Sequence, residues 1–313
     1  MSRAFVFPGQ GSQAVGMGKV LAEASPVARE VFEEVDDALS QKLSKLMFEG
    51  PEDELTLTEN AQPALMAVSM ALIRVLEKDG GIVIADKADF VAGHSLGEYS
   101  ALAAAGAFGV ADAARLLKTR GKAMQEAVPV GEGAMAALLG LDIDKVAEIA
   151  REAAGDEVCD IANDNSDGQV VVSGSRAAVE RAVVLAGEAG AKRSVLLPVS
   201  APFHCALMAP AADVMQAALA ETSITPPNPR LIANVTADEV TDPDEIRALL
   251  FKQVTGMVRW RESVLAMKAK GVDTLIEVGS GKVLTGLVRR IDRELTGISV
   301  QGPDDIETLL ATL

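Results

Sequence analysis

Histidine, cysteine and basic charge are scarce in this chain of 313 residues, and each scarcity closes off some chemistry. Only His94 and His204 are present, so a step that needs an imidazole has almost no choice of residue. Cys159 and Cys205 are too few for a disulfide framework, and no Cys/His cluster has metal-ligand spacing. No metal or redox cofactor is therefore expected, and the thiol content suits a reducing, cytoplasmic setting. The 29 basic residues face 45 acidic ones, for a formal net charge of −16. A general binder of nucleic acid or of anionic membrane needs a dominant positive field, so no nucleic-acid and no membrane partner is expected. Long hydrophobic runs are missing too. The one uncharged run near membrane length, 194–212, is broken by Pro198, Pro202 and Pro210, whereas a spanning helix needs about 20 mostly apolar residues. The opening MSRAFVFPGQGS holds too short an apolar stretch for a signal peptide.

What the chain does have is enough apolar content, 49%, to bury a large core. Its length suits one large α/β unit, alone or carrying a smaller insert. Residues 5–7 read as a short strand, followed by the loop GQGSQ and a long helical stretch through Leu39. The segment 62–77 is helical and apolar nearly all round, which implies burial on several sides. A strand at 89–92 runs into Gly93-His94-Ser95-Leu96-Gly97, then an alanine-rich helix at 98–108 and another at 111–126. Between 133 and 198 the order becomes β-α-β-β-α-β, the ferredoxin-like split motif, with Asp142 and Ser175 as helix N-caps. We expect a large α/β unit from residues 1–128 and 198–313, interrupted by a small ferredoxin-like unit at 129–197. Beyond the insert come a helix at 211–221, a strand RLIANV, helices near 245–253 and 261–270, and a strand TLIEV leading through GSGK to a further helix.

Gly93-His94-Ser95-Leu96-Gly97 has the form of a nucleophile elbow, in which glycines flank a serine on a sharp turn between strand and helix. Such a turn exposes the Ser95 hydroxyl and lets the Leu96 N–H point at a developing oxyanion. A serine needs a base. His94 adjoins Ser95 and diverges from it, which leaves His204, in the proline-bounded loop VSAPFHCALM. Cys205 competes as a nucleophile, but beside His204 it reads better as a small buried thiol. Arg120 lies on the apolar stripe of its helix, at i+4 from Leu116 and i−4 from Met124. An inward guanidinium calls for an anion: an internal partner, or the carboxylate of an acidic substrate. Gly9, Gly11 and Ala14 match G-x-G-x-x-A, but no acidic residue ends a second strand about 20 residues on, so a dinucleotide site is disfavoured. Close backbone approach to a reaction centre suits that loop better, with the Gln10 or Gln13 amide as donor.

These segments together resemble one family, the malonyl-CoA:acyl-carrier-protein transacylases. FVFPGQGSQ, NAQPAL, GHSLGEYSAL, the TRG around Arg120, PFHCALM, ANV and QVTGMVRW occur in that family's order across nearly the whole chain. The resemblance implies Ser95 as the acylated nucleophile and His204 as its base. It implies an oxyanion hole from Gln10 and the Leu96 N–H, Arg120 as holder of the malonyl carboxylate, and Gln253 as the residue that orients His204. Phe203 resembles the form associated with malonyl rather than branched acyl groups. The implied fold is a hydrolase-like α/β domain with a parallel sheet and a ferredoxin-like insert. The implied partners are malonyl-CoA, a substrate rather than a cofactor, and acyl carrier protein, in a ping-pong transfer that supplies fatty acid synthesis.

Two other readings stay open at this level: a serine hydrolase or thioesterase on the same fold, and a non-catalytic carrier-protein binding module. A hydrolase normally places an acid between nucleophile and histidine in chain order. Asp142, Asp160 and Asp164 fall there, but inside the insert. Carrier proteins of this kind are acidic, so an acidic partner needs a local basic patch. Lys268, Lys270, Arg289, Arg290 and Arg293 are the candidates. Nothing calls for an obligate assembly, and a monomer is expected.

Overall fold

The apolar stretch Ala4-Phe5-Val6-Phe7 is buried on both sides, as a strand covered by helices on each face must be. It belongs to a computed structural model that describes residues 2–313. Among the described residues, ten strands build two sheets: β1 (Ser2–Phe7), β2 (Phe90–Gly93), β3 (Gly133–Leu139), β4 (Cys159–Ser166), β5 (Gln169–Ser175), β6 (Arg193–Leu196), β7 (Arg230–Ile232), β8 (Glu239–Val240), β9 (Val272–Val278) and β10 (Thr296–Val300). The larger sheet has the order β10-β9-β1-β2-β7-β8, parallel throughout except for the short antiparallel edge β8. The smaller sheet, β4-β5-β3-β6, is antiparallel throughout. This is a mixed α/β fold with a parallel-sheet core and a separate antiparallel sheet.

Side chains alternate across β1 with period 2. Phe5 and Phe7 enter the larger core with Val91, Leu231 and Ile276, beneath the helices Thr58–Lys78, Gly97–Ala104 and Val110–Glu126. Ala4 and Val6 face a second core with Trp260, Val264, Leu284 and Val288, from the helices Trp260–Ala269 and Val283–Ile291. The Thr58–Lys78 helix is buried on nearly every side from Thr58 to Leu76, which explains its lack of a polar face. Among the described residues, no helix is long and apolar enough to cross a membrane.

The β-α-β-β-α-β order of the insert is realised with strand order 2-3-1-4 of the motif. Helices Ile143–Ala154 and Arg176–Glu188 supply its separate core. Asp142 caps its helix by accepting from Lys145 N–H at 2.8 Å. Ser175 holds the N-cap position of the second helix by backbone only, because its hydroxyl lies 3.4 Å from Val158 N instead. The two sheets are tied through Val258, which accepts from Asp164 N–H at 3.0 Å and donates to Ala162 C=O at 2.8 Å. The Arg261–Asp164 ion pair at 2.9 Å reinforces the tie.

Some local expectations differ, and two strands were not expected. The helical stretch before Leu39 is two helices, Lys19–Ala24 and Pro26–Leu39, broken where Ser25 turns extended to cap the second and Pro26 takes its first position. RLIANV forms a strand only over Arg230–Ile232, and Asn234 turns toward Ser95. Strands β8 and β10 carry no alternation strong enough to be read: one has two residues and the other is mostly half-buried.

Candidate active site

The elbow at Ser95 is built by steric exclusion. A Cβ on Gly93 would lie 1.9 Å from the Gly97 carbonyl carbon, and one on Gly97 would lie 2.3 Å from Phe7 O. Only glycine lets β2 turn this sharply into the Gly97–Ala104 helix beside β1. Ser95 sits at φ +54°, a left-handed conformation that costs a non-glycine residue energy. Asn234 holds it there: its Oδ1 accepts from Ser95 N–H at 2.8 Å, and its Nδ2 donates to Gly93 O at 2.6 Å.

Chain folding brings His204 to Ser95 across 109 residues, with Nε2 at 2.7 Å from Oγ. Nδ1 faces two main-chain carbonyls, Gln253 O at 2.9 Å and Gly256 O at 3.1 Å. Carbonyls only accept, so the assigned tautomer carries its proton on Nδ1 and presents the Nε2 lone pair to the serine hydroxyl. Burial, followed by the positive charge of Arg120, lowers the His204 pKa to about 3. The ring is therefore neutral, as a base must be before it takes a proton. No carboxylate contacts it among the described residues. Gln253 does reach His204, but through its backbone oxygen; its side-chain amide works elsewhere.

Arg120 is 1% exposed on the Val110–Glu126 helix, so its stripe position does place the guanidinium inward. It donates from Nη1 to Gln62 Oε1 at 2.8 Å, and from Nη2 to Gln253 Oε1 at 2.8 Å and to Ser95 Oγ at 3.1 Å. Every one of these acceptors is neutral, and buried Nε has no partner. The guanidinium also stands 5.7 Å from the Tyr99 ring centroid. A buried cation with only neutral partners is well prepared for an arriving anion.

The Gln253 amide donates from Nε2 to Ser95 O at 2.9 Å and to Glu98 Oε2 at 2.7 Å. Glu98 is 1% exposed, accepts also from Asn234 N–H at 3.3 Å, and has its pKa pushed up to about 7 by burial. Ser95, Arg120, His204 and the Gln10 loop line one cavity of about 610 Å³, walled by Met124, Phe203 and, from the small sheet, Met135 and Asn163. The cavity thus lies between the two sheets, a usual place for a ligand site.

At the glycine loop, the Gln10 side chain lies 3.3 Å from Thr58 Oγ1, and Gln13 turns its Oε1 back onto Gly11 N–H at 2.8 Å. The Gln10 amide is turned toward Thr58 and Gln13 is fixed through its oxygen, and main-chain N–H groups offer further donors here. Those of Gln10 and Leu96 have no acceptor within the chain among the described residues. His94 is held apart from Ser95 Oγ by a 2.8 Å bond from its Nε2 to Asn165 Oδ1 and by contact with Trp260. Cys205 donates to Pro202 O at 3.1 Å, and burial pushes its thiol up to about 11, so it is an inert packing group. The basic patch loses two members: Lys268 pairs with Asp292 and Glu294, and Lys270 with Asp238 and Glu239. Arg289, Arg290 and Arg293 stay exposed.

Sequence reasoning assigned no role to Glu98, Asn234 or Gln62, although all three fall inside the motifs quoted above. Their one local signal is polarity inside otherwise apolar, buried segments.

A family model described as an acyl transferase domain matches residues 4–301. The chain is similar to the malonyl CoA-acyl carrier protein transacylase of Bacillus subtilis (strain 168), 47% identical over 311 residues, or 99% of this chain and 96% of the relative. The enzyme of the same name from Escherichia coli (strain K12) is 48% identical over 307 residues, 98% of each chain. Among solved structures, an acyl-carrier-protein-S-malonyltransferase from Bartonella henselae superposes with a TM-score of 0.97 at 60% identity, covering 100% of this chain and 99% of the other. A malonyl-transacylase solved in complex with its type II PKS acyl-carrier protein gives 0.96 at 43% identity, covering 100% of both.

Proposed function

The chain belongs to the malonyl CoA-acyl carrier protein transacylases of the acyl transferase domain family, and from that membership we propose a ping-pong transfer through a malonyl ester on Ser95. In the first half, Ser95 gives its proton to His204 Nε2 while Oγ attacks the malonyl-CoA carbonyl carbon. The main-chain N–H groups of Leu96 and Gln10 take the oxyanion. As the intermediate collapses, the C–S bond breaks, coenzyme A leaves, and its sulfur receives the proton from His204. In the second half, the phosphopantetheine thiol of the carrier protein gives its proton to Nε2 and attacks the ester. Ser95 Oγ then leaves and takes the proton back. One thioester replaces another, so the exchange runs near equilibrium.

Arg120 holds the malonyl carboxylate, exchanging its present contact with Ser95 Oγ for a two-pronged ion pair. The carbonyls of Gln253 and Gly256 support the imidazolium that forms in each half, without placing a second negative charge beside the substrate. A single chain supplies every group named, so a monomer suffices. The same proposal puts the enzyme in the cytoplasm, feeding malonyl groups to fatty acid synthesis.

The observation that carries this reading is the convergence on one oxygen: His204 Nε2 at 2.7 Å and Arg120 Nη2 at 3.1 Å from Ser95 Oγ. The test is intact mass after mixing with malonyl-CoA. We expect one malonyl adduct that a pantetheine thiol removes much faster than water does, and none on Ser95→Ala. Rapid loss to water would mark a hydrolase, and no adduct a binding module.

A further inference from the structure

Glu98 is a buried carboxylate that the transfer itself does not use. Gln253 and Asn234, its two partners, are the residues that hold the Arg120 clamp and the Ser95 elbow. We infer that Glu98 is a positioning residue whose Oε2 locks the Gln253 side-chain amide and, through that amide, aims Arg120 at the acyl carboxylate. This rests on the assignment of Arg120 as the carboxylate holder.

A guanidinium has donors only, so the amide must turn Oε1 toward Arg120 and leave both Nε2 hydrogens on the far side. Two acceptors meet them, Ser95 O at 2.9 Å and Glu98 Oε2 at 2.7 Å. Gln253 is 0% exposed, so no bulk solvent reaches that amide beside Glu98. Without that acceptor, one buried N–H is left unsatisfied, and the amide regains its freedom to swing away from Arg120. The guanidinium then keeps Gln62 but loses its second neutral anchor. His204 is insulated from the change, since its Nδ1 is held by backbone carbonyls. The effect therefore falls on acyl selectivity more than on the serine–histidine pair.

Both hydrogen bonds to Glu98 reach the same oxygen, Oε2. The amide oxygen of a glutamine can take that place, whereas an aspartate carboxylate is one methylene too short and a leucine has no acceptor. The experiment compares Glu98→Gln, Glu98→Asp, Glu98→Leu and Arg120→Ala by kcat/KM with malonyl-CoA and with acetyl-CoA. We expect Glu98→Asp and Glu98→Leu to lower the malonyl-to-acetyl ratio about tenfold, the scale of one lost hydrogen bond, with acetyl transfer falling less than about threefold. Glu98→Gln should keep the ratio within about threefold of wild type by the same reckoning. A merely structural role lowers the active fraction and so lowers both substrates in parallel. Should Glu98→Leu fail to fold, Glu98→Asp, which keeps the carboxylate, carries the test alone. An unchanged ratio in Glu98→Asp, or a ratio in Glu98→Gln as low as in Glu98→Asp, would overturn the inference while Arg120→Ala still collapses selectivity. If Arg120→Ala leaves selectivity intact, the carboxylate-holder reading has failed and this inference goes with it.

Discussion

Replacing Arg120 by alanine removes a cation that is 1% exposed and makes three hydrogen bonds, to Gln62, Gln253 and Ser95. In the proposed complex two of its N–H groups hold the malonyl carboxylate. Charge-assisted hydrogen bonds contribute roughly 1.5–3 kcal/mol each, so their loss costs about 3–6 kcal/mol, or roughly 10²–10⁴ in kcat/KM for malonyl-CoA. Acetyl-CoA has no carboxylate to lose. Its transfer needs Ser95, His204 and the two N–H groups, none of which is altered, and Ser95 Oγ is released from a competing donor. Water entering from the cavity can satisfy the amide oxygens of Gln62 and Gln253 that the guanidinium leaves behind. We expect acetyl transfer to stay within about tenfold of wild type, so the selectivity ratio drops by at least about tenfold. The assay is steady-state transfer to a carrier protein with each thioester, beside a melting curve to check that the variant is folded. A parallel fall for both acyl groups, or an unchanged ratio, refutes the clamp.

Gly93→Ala should fail to fold or be destabilised by more than about 4 kcal/mol, because its Cβ would lie 1.9 Å from the Gly97 carbonyl carbon; a melting temperature near wild type would contradict this. Two buried groups oppose each other in the pH dependence of stability. His204, lowered by burial from 6.5 to about 3, binds fewer protons folded than unfolded, so it costs about 2 kcal/mol at pH 5 relative to pH 7. Glu98, raised by burial from 4.5 to about 7, binds more protons folded, so it adds about 2–3 kcal/mol of stability over the same fall in pH. Glu98→Gln removes only the second contribution and should lose about 2 kcal/mol more than wild type between pH 7 and pH 5 in denaturant titrations; identical pH slopes would contradict the assignment. Replacing Arg289 and Arg290 by alanine should raise KM for the carrier protein and leave KM for malonyl-CoA in place, and equal changes in both would rule out this patch. Their neighbours Lys268 and Lys270 are already paired with acids and should contribute less.

Much of the fold is legible in the chain because its signals are local. The continuous apolar run of β1, the nearly all-round apolar pattern of helix segment 62–77 and the β-α-β-β-α-β order of the insert each arise from neighbouring residues whose own preferences agree. The elbow is local as well: two glycines around one serine between strand and helix say where a nucleophile can stand. With only two histidines, the base was nearly determined by composition. Arg120 was readable as inward-facing from helical spacing, but its ligand set was not.

The tertiary structure alone decided what these residues face. His204 lies 109 positions from Ser95 and is oriented by backbone oxygens, which carry no residue identity and so leave no trace in a sequence. Folding turns the Gln10 amide toward Thr58 and fixes Gln13 by its oxygen on Gly11 N–H, contacts that no local pattern announces. Glu98 stands three residues after Ser95 on a helix, where a carboxylate is ordinarily solvated. Folding buries it beneath Gln253, 155 residues away, and burial changes both its partner and its charge preference. Sequence by itself determined the elements and the chemical inventory, because propensity and periodicity are short-range. Partners, protonation and which end of an amide faces a cation were decided only by packing, because desolvation and hydrogen bonding depend on residues the chain brings together from far apart.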